Sequence, residues 1–450
     1  GKSGNDLTGL TRGVNGTSAD SHANASTVFL AVGNSDPNLD FTGWGSSAAG
    51  GIIPVSELRL WSHDNFGEDL IINPRDGGIY YWDKTNSLAS RAVEIGTLGG
   101  ASNTPIIAKQ VLVSDLDRHV IAFGCNAQGG TDQDNLLIRF SDQESITDWT
   151  ATATNTAGDL RLGSGSTFVQ AVETKREVLV WTDKSLHSLR FIGPPFTFGL
   201  QQLASNITIM GPKAAVATED YVFWMGIDNF YVYAGQTTQL PCTVRDYVFT
   251  DFNKEQAEKV VSGVNSQWGE VVWFYPSASS EENDRYVIYN YLEKVWYYGT
   301  LSRSAWLDRG IRQYPIAAGG NYLYNHEIGQ DDDGAAMESF IESSQMDVGD
   351  GERFTFLKRI IPDVKFEGST AINPAVDFTI KARNYPGGNY LQTDTKTATR
   401  TATAPVEQFT ENLDIRARGR SFAFRLDSSG SGVRWKLGSP RVDIRQDGRR

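Results

Sequence analysis

Glu270-Val-Val-Trp-Phe-Tyr275, Arg285-Tyr-Val-Ile-Tyr289 and Lys294-Val-Trp-Tyr-Tyr298 are three short β-branched and aromatic runs separated by polar turns. Such side chains crowd a helix but pack well on a pleated surface, so the stretch predicts antiparallel strands. Working outward, the same pairing of apolar runs recurs. It begins near Asp69 (Asp-Leu-Ile-Ile-Asn, then Gly78-Ile-Tyr-Tyr-Trp82) and near His119 (His-Val-Ile-Ala-Phe, then Asn135-Leu-Leu-Ile-Arg-Phe140). Two more begin near Glu177 (Glu-Val-Leu-Val-Trp, then Ser185–Phe191) and near Tyr221 (Tyr-Val-Phe-Trp, then Asn229–Tyr233), and a last one near Tyr314. From Asp69 to Tyr314, successive starts differ by 50, 58, 44, 49 and 44 residues. A period of this length with three or four strands per unit is the mark of propeller blades. One small sheet cannot bury both faces; sheets stacked radially cover one another and leave only short edges. Unrelated antiparallel sheets are the alternative.

Composition agrees with an all-β chain. Of 450 residues, 45 are Gly and 11% are aromatic, while 21% are charged, a balance suited to short strands and Gly-rich turns. The net charge of −13 is uneven. Residues 351–450 hold 18 Lys and Arg against 11 Asp and Glu; residues 1–350 hold 23 against 43. An acidic body does not grip nucleic acid, because tight phosphate binding needs cations that release counterions. The basic C-terminal part suits an acidic partner surface or a neighbouring subunit.

The flanks set the domain boundaries. Residues 1–53 read as a partial N-terminal β-domain followed by a Gly/Ser-rich connector. The opening Gly1-Lys-Ser-Gly-Asn-Asp6 reads as the middle of a loop, so an upstream portion is expected. Residues 54–330 read as a propeller of about six blades. Asp331-Asp-Asp-Gly334 marks the second boundary, and 331–450 as a C-terminal antiparallel sheet or sandwich. There Phe422, Phe424 and Leu426 alternate with Ala423 and Arg425 as in a half-buried strand, and Arg441–Arg445 alternates with the opposite polarity. The Thr/Ala tract Thr393–Ala404 reads as an exposed loop, and Asn253–Val261 as one short surface helix.

The chemical motifs each favour a structural role. Gly1-Lys2-Ser3 matches the end of a phosphate-binding loop but is followed by residues that form no helix. His22, His63, His119, His187 and His326 have no metal-ligand spacing and read as turn or strand-surface residues. Asp331–Asp333 lacks the spaced ligands of a calcium loop. Cys125 and Cys242 read as buried free thiols. Asn15, Asn24 and Asn206 match the glycosylation pattern without a secretory context. Ser141-Asp-Gln-Glu-Ser-Ile-Thr-Asp-Trp149 resembles the aspartate-box turn of sialidase-like propellers, in which Asp and a buried Trp pin a hairpin. No residues mark a catalytic, cofactor or metal site, and no run of 18 apolar residues would span a membrane.

Several longer segments carry a family resemblance. Leu58–Asp83, Phe140–Trp149 with Ala157–Leu162, and Gly438–Arg450 resemble stretches of short-tailed phage tail proteins. Thr8–Thr17 is similar to the close of a small β-domain found in phage structural proteins. The chain thus resembles the tail nozzle, or packaged-DNA stabilisation, family of podophages. The resemblance implies a non-enzymatic virion protein forming a homohexameric ring that continues the DNA channel below the tail adaptor. It further implies retention of the packaged genome, conduction of double-stranded DNA at ejection without tight binding, and contact with tail fibres or a tip (needle) protein. A negative lumen fits that role, because within a screening length of about 8 Å it repels phosphates and lets the duplex slide. The alternative is a glycan-binding or glycan-hydrolysing propeller of a phage receptor-binding component, which would need paired carboxylates across a pocket.

Overall fold

The computed structural model describes residues 2–3, 6–7, 58–86, 88–349, 351–385 and 401–448. At the start, β1 (Lys2–Ser3) pairs with β2 (Asp6–Leu7). The remaining expectations for residues 1–53, including His22, Asn15 and Asn24, lie outside the described residues. The chain divides into two compact units, residues 1–306 and 307–450.

The first unit holds five successive four-stranded antiparallel sheets, each a meander in chain order. Blade 1 comprises β3 (Trp61–Phe66), β4 (Asp69–Pro74), β5 (Tyr80–Trp82) and β6 (Val93–Glu94). Blade 2 comprises β7 (Gln110–Val113), β8 (Val120–Phe123), β9 (Leu137–Phe140) and β10 (Gly158–Arg161). Blade 3 comprises β11 (Phe168–Glu173), β12 (Val178–Thr182), β13 (Ser185–Gly193) and β14 (Thr197–Ser205). Blade 4 comprises β15 (Ala215–Ala217), β16 (Val222–Met225), β17 (Phe230–Tyr233) and β18 (Thr237–Leu240). Blade 5 comprises β19 (Val261–Asn265), β20 (Glu270–Tyr275), β21 (Arg285–Asn290) and β22 (Val295–Thr300), and β23 (Ala305–Leu307) follows it.

The strands that announce the repeat in the sequence are the second of each sheet. β8, β12 and β16 are buried at every position, and β20 at all but Glu270, because neighbouring blades cover both faces. A strand covered on both sides reads as a continuous apolar run. Phe123, Trp181, Trp224 and Trp273 occupy corresponding places on these strands and are fully buried. Trp181 meets Trp224 edge to face at 5.3 Å, and Phe123 stacks on Phe168 at 5.1 Å. Such pairs contribute about 0.5–1.5 kcal/mol beyond their buried area and fill the wedges between blades.

The first strands β3, β7, β11, β15 and β19 pack one against the next and form the inner wall. The unit therefore holds five complete four-stranded blades of a β-propeller. The repeat expected at Tyr314 is present as a three-stranded meander of β23, β24 (Ile316–Gly319) and β25 (Tyr322–Asn325), one strand short of the other blades. Its small Ala317, Ala318 and Gly319 and its exposed Tyr322 and Leu323 cannot fill a wedge. The boundary between the compact units, Trp306 to Leu307, falls within β23. Lys254–Lys259 forms a 3-10 helix whose first turn is capped by Asn253, as the sequence anticipated. A short helix α1 (Arg245–Thr250), with no amphipathic signal of useful length, precedes it.

In the second unit β26 (Asp331–Asp332) and β27 (Ala335–Ala336) form a tight hairpin turning at Asp333 and Gly334, both at positive φ. The larger strands are β28 (Ser339–Glu342), β29 (Met346–Asp347), β30 (Thr355–Ile361), β31 (Val364–Lys365) and β32 (Ala375–Arg383). After them come β33 (Thr401–Glu407), β34 (Leu413–Gly419), β35 (Ser421–Ser428), β36 (Lys436–Leu437) and β37 (Arg441–Gln446). β28, β29, β35, β32 and β33 make one sheet; β34, β30 and β37 make another. Leu357, Ile360, Phe378, Ile380, Ile415 and Phe422 fill the core between them, so this unit is an antiparallel sandwich. Part of the tract expected to be a loop is strand: Thr401–Ala404 begins β33, where Ala402 and Ala404 pack on the core opposite Ile380 and Phe378. Residues 393–400 of that tract lie outside the described residues. Ala423 is buried as well as Phe422, because β35 is paired along both edges.

Candidate functional site

An inner strand of a propeller has one free edge, whose N–H and C=O groups need partners. Here side chains supply them. Ser62 Oγ of blade 1 accepts from the Val111 N–H of blade 2 at 3.0 Å. Gln110 Oε1 accepts from the Ala171 N–H at 3.0 Å while its Nε2 donates to the Ala171 carbonyl at 2.8 Å. Gln170 repeats that clamp on Ala215 of blade 4, at 3.0 and 2.9 Å. The backbone N–H and hydroxyl of Ser262 in blade 5 both donate to the Lys213 carbonyl at 2.8 Å. A primary amide carries one acceptor and a donor pair, so it stands in for a passing strand. Ser62, Gln110, Gln170 and Ser262 are equivalent by register, facing Asn73, Phe123, Trp181 and Trp273 across their sheets.

Glu258, just before β19, ties the approach to blade 5 to blade 1. Its carboxylate accepts from the Leu58 N–H at 2.9 Å and pairs with the Arg75 guanidinium at 3.3 Å. The ties also fix direction: Ser62 meets Val111 and Asp64 meets Val113, so β3 and β7 run the same way. Charge is consequently sorted along the axis. Arg75, Lys109 and Lys213 flank the starting ends of the inner wall, around a cavity of about 220 Å3 that Trp61 and His63 also line. Asp64, Asp115 and Glu173 lie towards the other end. Glu173 Oε1 accepts from the Asp115 N–H at 2.8 Å, and Asp64 Oδ2 from the Val113 N–H at 2.9 Å. Burial, reinforced by the neighbouring carboxylates of Asp115, Asp64 and Asp117, pushes the Glu173 pKa up to about 7. Burial likewise raises Asp64.

Other polar groups are committed to the framework. Glu177 joins blades 3 and 4, accepting from Tyr233 Oη at 2.7 Å, Arg190 Nε at 2.9 Å and the Ser188 hydroxyl. Burial opposes its ionisation, but hydrogen bonds from Arg190, Ser188 and Tyr233 outweigh it and hold the pKa below the ordinary value. The turn resembling an aspartate box is pinned as that likeness implies. Trp149 is buried, its Nε1 donates to the Ile146 carbonyl, and Asp142 accepts from the Thr156 N–H and hydroxyl.

Two histidines expected on turns or strand surfaces are instead buried. His187 lies inside blade 3, covered on both sides, and burial lowers its pKa. His119 Nε2 is 3.0 Å from Thr156 Oγ1, and Nδ1 is 3.4 Å from Asp117 Oδ2. That set looks like a proton relay, but the Thr156 hydroxyl donates to Asp142 and His119 is enclosed by Phe140 and Phe198. His63 is exposed at the axial cavity. Cys125 is a buried free thiol whose pKa burial pushes up to about 12; Cys242 is free but only half-buried. Lys2 and Ser3 sit on a strand, which a phosphate-binding loop would not place there. Asp331 Oδ1 accepts from the Ser431 hydroxyl and the Gly432 N–H, as an ordinary turn carboxylate. Among the described residues no cluster of three His, Cys, Asp or Glu is arranged to hold a metal. None of their helices is long and apolar enough to cross a membrane.

No family model matches the sequence, and no curated protein matches it. Solved structures share its outline distantly. A fungal alcohol oxidase of the AA5 family matches with 10% identity and a TM-score of 0.39, over 84% of each chain. Hsv2p of Kluyveromyces lactis matches with 9% identity and a TM-score of 0.34, over 59% of this chain and 74% of its own. An apocarotenoid oxygenase of Synechocystis matches with 8% identity and a TM-score of 0.33, over 60% of this chain and 67% of its own.

Proposed function

We propose that the chain is a mechanical, non-enzymatic subunit of a virion tail, of the kind that forms the nozzle ring of short-tailed phages. The observation that carries a mechanical role is the tied inner wall. Ser62, Gln110, Gln170 and Ser262 are all spent on bonds between blades, so these polar side chains of the inner strands brace the wall. A propeller braced in this way resists shear between its sheets, which suits a conduit under internal pressure. The family resemblance supplies the rest: a homohexamer below the tail adaptor, contacting fibres or a tip protein, that retains and then conducts double-stranded DNA. The acidic excess of residues 1–350 favours sliding over adhesion. The basic excess of residues 351–450 offers an acidic neighbour a complementary surface.

Electron microscopy with light scattering on the purified full chain tests the reading. Closed six-membered rings are expected. A monomer at all concentrations that cleaves host surface glycan would overturn it in favour of a glycan-acting propeller.

A further inference from the structure

We propose that the cavity at the starting ends of the propeller's inner strands binds a small oxyanion of the phosphate class, with Lys213 as its central cation. The wall carries Arg75, Lys109 and Lys213 together with His63, and no Asp or Glu among the described residues lines it. Two of these cations already have counter-charges. Arg75 pairs with Glu258 at 3.3 Å, and Lys109 lies 3.8 Å from Asp76. Lys213 is different. Among the described residues no carboxylate pairs with it, although burial is deep enough to push its pKa below the ordinary lysine value. A desolvated ammonium without a counter-charge is costly, and an anion arriving in the cavity offsets that cost.

The geometry sets the size and type of guest. A cavity of about 220 Å3 holds a tetrahedral oxyanion with several waters, each occupying about 30 Å3, and is far too small for a duplex or a glycan chain. The amides of Gln110 and Gln170 are engaged on Ala171 and Ala215, so recognition falls to the cations. Lys213 is rooted for the task, because Ser262 fixes its carbonyl with two hydrogen bonds. A charged ligand held by ammonium and guanidinium groups in a partly dry site gains more than it would at a surface. The site does not depend on ring assembly and would be present in an isolated subunit.

Thermal unfolding of the full chain, with phosphate replacing chloride at constant ionic strength, reads the site out. A saturable rise in melting temperature is expected, as mass action requires of a ligand that binds the folded state. Lys213→Met should fold, be at least as stable as the parent in chloride, and need about tenfold more phosphate or lose the response. Lys213→Arg, which keeps the charge, should retain it. Isothermal titration of the parent protein with phosphate gives an answer independent of any variant. No saturable binding to the parent, or an equal response in Lys213→Met, overturns the proposal.

Discussion

Replacing Gln170 by Ala removes one amide and strands two backbone groups. Gln170 is 7% exposed and Ala215 is 5% exposed, so solvent cannot readily take over the bonds that the amide makes to the Ala215 N–H and C=O. Leaving a buried backbone group unpaired costs about 1–3 kcal/mol, and two such groups give a loss of about 2–5 kcal/mol. For a unit of this size that corresponds to a fall in melting temperature of roughly 5–15 °C. Urea unfolding followed by tryptophan fluorescence measures the loss, since Trp181 lies directly across the sheet from Gln170. Gln170→Met separates the tie from simple packing. It keeps the length and volume but neither donates nor accepts as the amide does, so it should lose nearly as much as Ala. Gln239→Ala is the control: its amide donates to Asn229 at an exposed site, where losses stay within about 0.5 kcal/mol. Should Met restore parental stability, or Ala match the exposed control, the strand-mimic argument fails.

Two further outcomes follow from the same wall. The pKa of Glu173, raised by burial to about 7 from the ordinary 4.5, makes the folded state bind its proton more tightly than the unfolded state. Stability should therefore fall as pH rises from about 4.5 to 7, by about 1–2 kcal/mol once solvent screening of this half-buried carboxyl is allowed for. Glu173→Gln keeps an acceptor for the Asp115 N–H and removes that slope, so the variant should exceed the parent in urea midpoint at pH 8 and match it at pH 4; parallel pH profiles would refute this. Gly263→Ala places a methyl carbon 2.2 Å from Trp306 Cδ1. Overpacking should cost about 1–3 kcal/mol and disturb the Trp306 Nε1 bond to the Val264 carbonyl, visible as a changed near-ultraviolet circular dichroism; an unchanged spectrum and midpoint would contradict it.

What the sequence disclosed depended on burial. The second strand of every blade stood out because β8, β12, β16 and β20 are covered on both faces and read as unbroken apolar runs. The repeat starts at Asp69, His119, Glu177, Tyr221 and Glu270 fall within one residue of β4, β8, β12, β16 and β20. The first strands were not legible, because Ser62, Gln110, Gln170 and Ser262 interrupt the apolar pattern at the positions where they tie the blades together. A polar residue recurring on the short run before four of the five apolar strands was the available signal; blade 4 has Ala215 there. Glu258 could not be found from pattern at all, since its partners Leu58 and Arg75 lie almost 200 residues upstream. The sixth repeat, β23 to β25, is the thinnest, because β24 and β25 share the alternation of a blade hairpin but carry small or exposed side chains. His119 and His187 were misplaced because a strand between two blades has no solvent face on which to leave a polar ring.

Among the described residues every blade is drawn from consecutive strands, and no strand from one end of the chain joins a sheet begun at the other. Among the described residues no strand therefore crosses the seam where Glu258 meets blade 1. Glu258 with Leu58 and Arg75 does at that seam what the Gln clamps do elsewhere, but with a half-exposed carboxylate in place of buried amides. A partly exposed ion pair contributes less than a buried two-bond clamp and weakens as salt rises. Of the ties described, the Glu258 bonds are thus the most sensitive to salt, and they adjoin the Arg75 side of the cationic cavity. An anion drawn to Lys213 would add charge beside Arg75, coupling occupancy of the cavity to the strength of the Glu258 tie.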